Sequence, residues 1–214
     1  MLQGAIIGAI VGVIVSLIML LARRGFRTKF LRALNEGGPT AARALLDRKA
    51  EPATKLGINQ ILSQRERMAA LALLGDVAAL EQEIAGHRGP LTAVVQVNAL
   101  GLLGVAVRSA DPGDAVRRLD ELATQMEREG GRTFALVKKK TRALAVLAQG
   151  LTGREIPSQT RMTLDSFSGD GGMVQLLVWQ ATAQALEKTG QTQQAEGIRQ
   201  KVRALTDAFE PPTT

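Results

Sequence analysis

The chain reads GPLTAVVQVNALGLLGVAV over residues 89–107, nineteen consecutive residues without a charge. A helix of this length can cross a bilayer, but a helix enclosed by its neighbours in a globular domain has the same composition. Thr92, Gln96 and Asn98 interrupt the apolar side chains, and a proline stands near the start. We therefore expect a core helix, in which Asn98 needs a buried partner or a place in a groove. A second membrane span is the alternative, and it would move everything downstream to the other side of the membrane.

A second apolar run extends from Gly4 to Ala22, with Ser16 as its one polar side chain. At a rise of about 1.5 Å per residue this run spans roughly 28 Å, close to the hydrocarbon thickness of a bilayer. A cleaved signal peptide carries positive side chains ahead of its apolar run and small residues at its cleavage site, and this run has neither. The sequence therefore predicts a transmembrane anchor over residues 1–22.

The positive charge of the protein is concentrated directly after this anchor. The formal net charge is +7, and residues 23–67, with eleven basic and four acidic side chains, account for all of it. Flanks that stay in the cytoplasm carry such an excess, so we expect a single-pass protein of a bacterial inner membrane, with its N-terminus outside and its C-terminal domain cytoplasmic. Within a basic juxtamembrane segment, 23–34, the side chains expected to contact anionic lipids are Arg23, Arg24, Arg27, Lys29 and Arg32.

Two aromatic residues, Phe26 and Phe30, lie four positions apart among these charges. On a continuing helix they would share one face. That face could dip into the membrane interface or begin the core of the following domain, and the sequence leaves both interpretations open.

Small residues recur every four positions within the anchor. Such a stripe lets a second helix approach closely in a membrane, where van der Waals packing drives association. We therefore expect pairing with a partner helix or a homo-oligomer. The stripe consists of Gly4, Gly8, Gly12 and Ser16.

The remainder reads as successive helices separated by Gly and Pro turns, without a period-two strand pattern. Ser63-Gln-Arg-Glu66 predicts a capping box, and Asp111-Pro112 predicts another helix start, with Gly75-Asp76 as a break. Three hairpins begin near residues 90, 132 and 172, a period typical of two-helix repeats. The predicted helices are 39–50, 53–62, 64–86, 90–109, 112–129, 132–149, 155–167, 172–189 and 192–209.

The last hairpin resembles a tetratricopeptide (TPR) repeat. In that family a large residue and several small ones let two helices cross closely, and a glycine lies in the turn. The resemblance implies a TPR-like helical-hairpin solenoid over 35–209. The predicted fold class is therefore all-α, with the single N-terminal transmembrane helix followed by this solenoid and a short tail, 210–214. The residues that carry it are Trp179, Ala183, Leu186, Gly190 and Ala195.

Composition argues against common catalytic sites. The chain has no Cys and a single His, which excludes thiol chemistry and His-rich metal clusters. His87 stands in a Gly-Pro loop without a nucleophile nearby, and we expect it to be solvated. The glycine-rich stretch 165–172 lacks the Lys-Ser/Thr of a phosphate-binding loop and the ligand spacing of an EF-hand. We therefore expect no enzyme, no cofactor and no metal.

The function that these features favour is a membrane-anchored scaffold that binds another protein or peptide at the cytoplasmic membrane face. The alternative is a structural subunit of a membrane transport or secretion assembly, held by its glycine-striped helix. No nucleic acid is expected as a partner, since only six aromatic side chains are present. A basic helix face is the candidate surface for an acidic peptide, and it consists of Lys138, Lys139, Lys140 and Arg142.

Overall fold

The computed structural model describes residues 2–49, 57–129, 134–165 and 172–206, and within these ranges the fold is all-α, without a strand. The all-α class that the apolar periodicity predicts is therefore confirmed. The described helices are α1 (Leu2–Lys49), α2 (Gly57–Leu74), α3 (Val77–Gly86), α4 (Leu91–Arg108), α5 (Gly113–Arg128), α6 (Ala135–Gly150), α7 (Ser158–Asp165), α8 (Met173–Lys188) and α9 (Thr192–Thr206).

Helix α4 is the centre of the fold, and it packs against α2, α3, α5, α6 and α8. It is long and apolar enough to cross a membrane, and 67% of it is buried inside the protein. This burial agrees with a core helix. Asn98 is half-buried, and its Oδ1 accepts no hydrogen bond from the described residues.

Two glycines explain how α4 fits so closely among its neighbours. A Cβ atom added to Gly104 would lie 2.6 Å from the Cβ of Ala72 on α2. One added to Gly101 would meet Met68 on α2, and it would lie 2.8 Å from Ile84 on α3. Both glycines thus let α2 and α3 approach the α4 backbone at van der Waals distance.

Helix α1 is continuous except at Gly38, where a φ of 70° allows a kink before Pro39. Its middle part docks on the bundle and contributes to the common hydrophobic core. Phe30 is fully buried, and its ring centroid lies 6.2 Å from that of Phe26. The sequence left open whether these rings dip into the membrane interface or begin the core of the domain. In the structure they begin the core. The core residues from α1 are Phe26, Phe30, Leu31, Ala42 and Leu46.

Helices α8 and α9 form the hairpin that resembles a TPR repeat. Gly190 in their turn has a φ of 76°, and Ala183 on α8 and Ala195 on α9 are both buried. However, α8 also packs against α2 and α4. In an open solenoid each repeat contacts only its neighbours. The all-α arrangement of the described helices is compatible with a helical-repeat fold, and these contacts of α8 with α2 and α4 leave the TPR-like solenoid a prediction.

The predicted helix boundaries agree with the structure from α3 onward to within a few residues. The predicted break at Gly75-Asp76 is confirmed, and the Asp76 side chain caps α3 by accepting the Ala79 N–H at 3.0 Å. The predicted capping box at Ser63 is wrong, because α2 already begins at Gly57 and passes through this position. Asp111 does not cap a helix starting at Pro112; it accepts the N–H of Gly113, the first residue of α5.

Candidate functional site

The small residues of the apolar run, Gly4 to Ser16, lie in the first turns of α1. A spacing of four places them along one side of this helix. Their side chains and that of Arg23 lie outside the described part of the structure. Their association with another helix therefore stays a prediction.

The other basic residues after the apolar run divide into two groups. Arg24, Lys29 and Arg32 are exposed, as contact with lipid headgroups requires. Arg27 is only 9% exposed, because the docked face of α1 carries it into the domain. The expected lipid contact of Arg27 therefore does not fit its position.

Burial lowers the pKa of the Arg27 guanidinium, and the positive charge of Arg24 lowers it further. The negative charge of Glu66 on α2 acts in the opposite direction. Glu66 is 6% exposed, and its Oε2 accepts the backbone N–H of Met173, at the start of α8, at 2.6 Å. A buried pair of opposite charges thus lies where α1, α2 and α8 meet.

The basic face predicted on α6 is largely engaged with α5. Lys138 donates hydrogen bonds to the backbone carbonyls of Glu127, at 3.3 Å, and of Glu129. Arg142 pairs with Asp120 at 2.9 Å. Lys140 is half-buried and also engaged. The exposed Lys139 is the member of this set with no such contact in the described residues, which leaves little charge for an acidic peptide.

Several arginines that the sequence did not single out join the helices. Arg108, at the end of α4, donates to the carbonyl oxygens of Ala72 at 2.6 Å and Leu73 at 3.2 Å, in the last turn of α2. Burial lowers the pKa of its guanidinium. Arg118 on α5 contacts both carboxylate oxygens of Glu81 on α3, at 2.7 and 3.0 Å. Basic residues of this protein therefore serve internal packing as well as the surface.

A cleft of about 220 Å³ opens between α7, α8 and α9. Trp179, which the TPR resemblance would place in the helix crossing, is half-buried here and lines this cleft. Its other apolar lining comes from Leu164, Val178, Leu186 and Ile198. Arg161 and Lys201 stand at the polar side.

A second, wider cleft of about 670 Å³ lies beside α2 and α3, and His87 lines it. His87 is half-buried rather than solvated, since its Nε2 is enclosed and accepts or donates no hydrogen bond among the described residues. Burial lowers the pKa of this imidazole, Glu83 raises it, and Arg88 lowers it. The arginines of this cleft are mostly paired: Arg67, for example, binds Glu83 at 2.9 Å.

Within the described residues, no group of three or more His, Asp or Glu side chains could hold a metal ion. Comparison of the chain with protein-family models, with curated proteins and with solved structures gives no match.

Proposed function

We propose that the protein is a membrane-anchored helical adaptor, whose bundle binds another protein or peptide beside the cytoplasmic face of the membrane. The supporting observation is the course of α1. This helix runs without interruption from Leu2 to its kink at Gly38, so the apolar run and the segment docked on the bundle share one helix. At about 1.5 Å per residue, its 36 residues before Gly38 extend roughly 54 Å.

The junction between the two parts of α1 is short. Only three residues separate Ala22, the end of the apolar run, from Phe26, the first residue in the core. Four steps along a helix cover about 6 Å, so an inserted anchor would hold the bundle directly against the headgroups. The exposed Arg24, Lys29 and Arg32 would then face the headgroup region, where each contributes about 1 kcal/mol on anionic lipid.

The first experiment measures topology with two reporters, one active only in the cytoplasm and one only outside. Each is fused after Thr214 and, separately, after Arg67. We expect the cytoplasmic reporter to be active at both positions. Activity inside at Arg67 and outside at Thr214 would mean that α4 spans the membrane, and activity outside at both would contradict the proposed orientation.

The contribution of the flanking charges is tested in the same assay. Replacing Arg23, Arg24, Lys29 and Arg32 by Gln is expected to weaken the orientation preference, because these cations resist transfer. Arg27→Gln alone is the matched control, since this side chain is turned into the domain. It should leave the orientation unchanged.

The second experiment asks whether partner binding needs the anchor. Crosslinking in intact cells captures the partner of the full chain, and a truncated chain that starts at Arg24 retains every core residue of α1 that the structure describes. An adaptor keeps its partner after truncation. Loss of the partner would favour the alternative, a subunit of a membrane transport or secretion assembly.

That alternative rests on Gly4, Gly8, Gly12 and Ser16, which one continuous helix aligns along a side. It predicts that Gly8→Ile with Gly12→Ile abolishes association of the full chain in membranes, because the larger side chains separate the helix backbones. Ile6→Leu with Ile10→Leu alters the same helix without filling the stripe and serves as the control. Unchanged association in both variants would contradict the alternative.

A further inference from the structure

The cleft between α7, α8 and α9 has the size of a socket for one side chain. Its volume of about 220 Å³ is below the roughly 300–1,000 Å³ of pockets that enclose a whole small ligand. Trp179, the one tryptophan of the protein, forms part of its wall and stays half-buried. Large aromatic side chains in such partly open sockets are typical anchors of protein–peptide recognition.

Half of the residues that line the cleft are apolar, and they form the part of its wall that could receive a side chain. Leu164, Leu186 and Val178 are buried, and Ile198 is partly exposed opposite them. The hydroxyl of Thr182 donates to the carbonyl of Val178 at 2.7 Å, so its hydrogen is already bonded and needs no acceptor on a ligand. A large aliphatic or aromatic side chain therefore fits this wall.

The rim of the cleft carries two positive charges without carboxylate partners among the described residues. Arg161 donates to the amide oxygens of Gln194, at 2.6 Å, and Gln191, at 3.3 Å, which leave its charge uncompensated. Lys201 is exposed and makes no ion pair with a described residue. Asp165 is the one carboxylate among the lining residues, and it is engaged in an interaction of its own.

This rim differs from the rest of the same hairpin. Arg199, two residues before Lys201, pairs with Glu187 on α8, and Arg203 pairs with Glu196. Among the basic side chains of α9, Lys201 beside the apolar socket is therefore the one whose charge is not paired with a carboxylate of the described residues. Charges of one sign at the edge of an apolar site select a ligand of the opposite sign.

We propose that this cleft binds a peptide segment in which one large apolar side chain is followed by acidic residues. The apolar side chain fills the socket against Trp179, and the carboxylates lie against Arg161 and Lys201. The proposal rests on the proposed function in that it specifies the partner class of the adaptor. Its test uses peptide binding alone, so its failure is distinguishable from a failure of the predicted topology.

The single tryptophan provides the readout, because the chain has no Tyr and its Trp fluorescence reports on the cleft alone. The full chain is placed in nanodiscs of phosphatidylcholine and titrated with blocked peptides Ser-X-Glu-Glu-Ser, where X is Leu, Met or Phe. We expect a saturable change in Trp fluorescence below about 1 mM for at least one X, weakened by added salt. The same peptides with Gln-Gln should bind about tenfold more weakly or not at all.

Variants separate this cleft from the basic face on α6. Lys201→Glu changes only an exposed side chain and should weaken binding about tenfold or more. Lys139→Glu makes the same change on α6 and should have no effect. Trp179→Phe, measured with a fluorescently labelled peptide, should weaken binding as well.

Four results would overturn the proposal. These are no saturable binding for any X, equal binding of the Gln-Gln peptides, an equal loss in Lys139→Glu and Lys201→Glu, and displacement of the peptide by phosphatidylglycerol in the nanodisc with the same fluorescence change. The last result would identify an anionic lipid as the occupant.

Discussion

The carboxylate of Glu66 on α2 accepts a hydrogen bond at 2.6 Å from the backbone N–H of Met173, 107 residues further along the chain. It lies so close to the start of α8 that a Cβ atom added to Gly172 would be 2.6 Å from its Oε2. The N-terminus of a helix has unpaired N–H groups and a partial positive charge, both of which a carboxylate stabilises. Glu66 thus acts as a helix cap supplied by another helix.

Removing this carboxylate should destabilise the bundle. In Glu66→Ala the Met173 N–H and the nearby Arg27 lose a charged partner in a buried place, and we expect a loss of about 1.5–3 kcal/mol in the free energy of unfolding. Urea unfolding of the full chain in detergent micelles, followed by Trp179 fluorescence, measures this loss.

Glu121→Ala is the matched control, because the Glu121 carboxylate is 62% exposed and pairs with Arg117 on the surface of α5. It should change the free energy of unfolding by about 0.5 kcal/mol or less. Equal effects of the two substitutions would contradict the capping role of Glu66.

Glu66 also shows what the sequence could and could not predict. The pattern Ser63-Gln-Arg-Glu66 satisfies the local rule for a capping box, but α2 passes through it and the carboxylate caps α8 instead. Whether a segment forms a helix depends on its apolar periodicity and its turn residues, which are local features. The sequence therefore predicts the boundaries of the helices from α3 onward to within a few residues. The partner of a buried carboxylate depends on tertiary packing, which no spacing encodes.

The basic residues illustrate the same limit for the candidate site. The charge pattern predicts lipid contact for Arg27 as for its charged neighbours, although Phe26, Phe30 and Leu31 mark the face of α1 that carries it inward. That periodicity could have separated it from Arg24. The cleft at Trp179 could not be predicted, because its lining residues come from three helices whose relative positions are set by the whole bundle.

Gly104 on α4 should not tolerate a methyl group. Gly104→Ala would place a Cβ 2.6 Å from that of Ala72, within two packed helices that cannot move apart freely. The overpacking, at about 1–3 kcal/mol, exceeds the gain of about 1 kcal/mol in helix propensity, so we expect a net loss of stability. Thermal unfolding followed by circular dichroism gives the sign.

Gly197→Ala is the control of opposite sign. Gly197 lies inside α9, and an added Cβ would meet no atom within 4 Å. The substitution should therefore raise the unfolding temperature through helix propensity alone. If Gly104→Ala also raised this temperature, the close approach of α2 and α4 would not limit residue 104.

The crossing of α8 and α9 is tested at Ala195, which is fully buried. Ala195→Phe should overpack this contact and reduce the free energy of unfolding by about 1–3 kcal/mol. Ala204→Phe introduces the same side chain at an exposed position of α9 and should be nearly neutral. A neutral Ala195→Phe would mean that the two helices do not cross there.

The last prediction concerns pH and the single histidine. Burial lowers the pKa of His87 below its ordinary value of 6.5. Just below pH 6.5 the imidazole is therefore protonated to a greater extent in the unfolded chain than in the folded protein. The contribution of the neutral imidazole to the free energy of unfolding is thus fully present above about pH 6.5. It is lost as the pH falls toward the lower pKa of the folded state. In His87→Gln this loss should be absent. The measurement is urea unfolding of both proteins between about pH 7.5 and pH 5.5, because the carboxylates common to both cancel in the difference and no other side chain titrates there with its usual pKa.

Parallel curves for the two proteins would show that the imidazole is as accessible to protons in the fold as in the unfolded chain. A wild-type curve that rose toward low pH relative to the variant would mean that the Glu83 carboxylate outweighs burial.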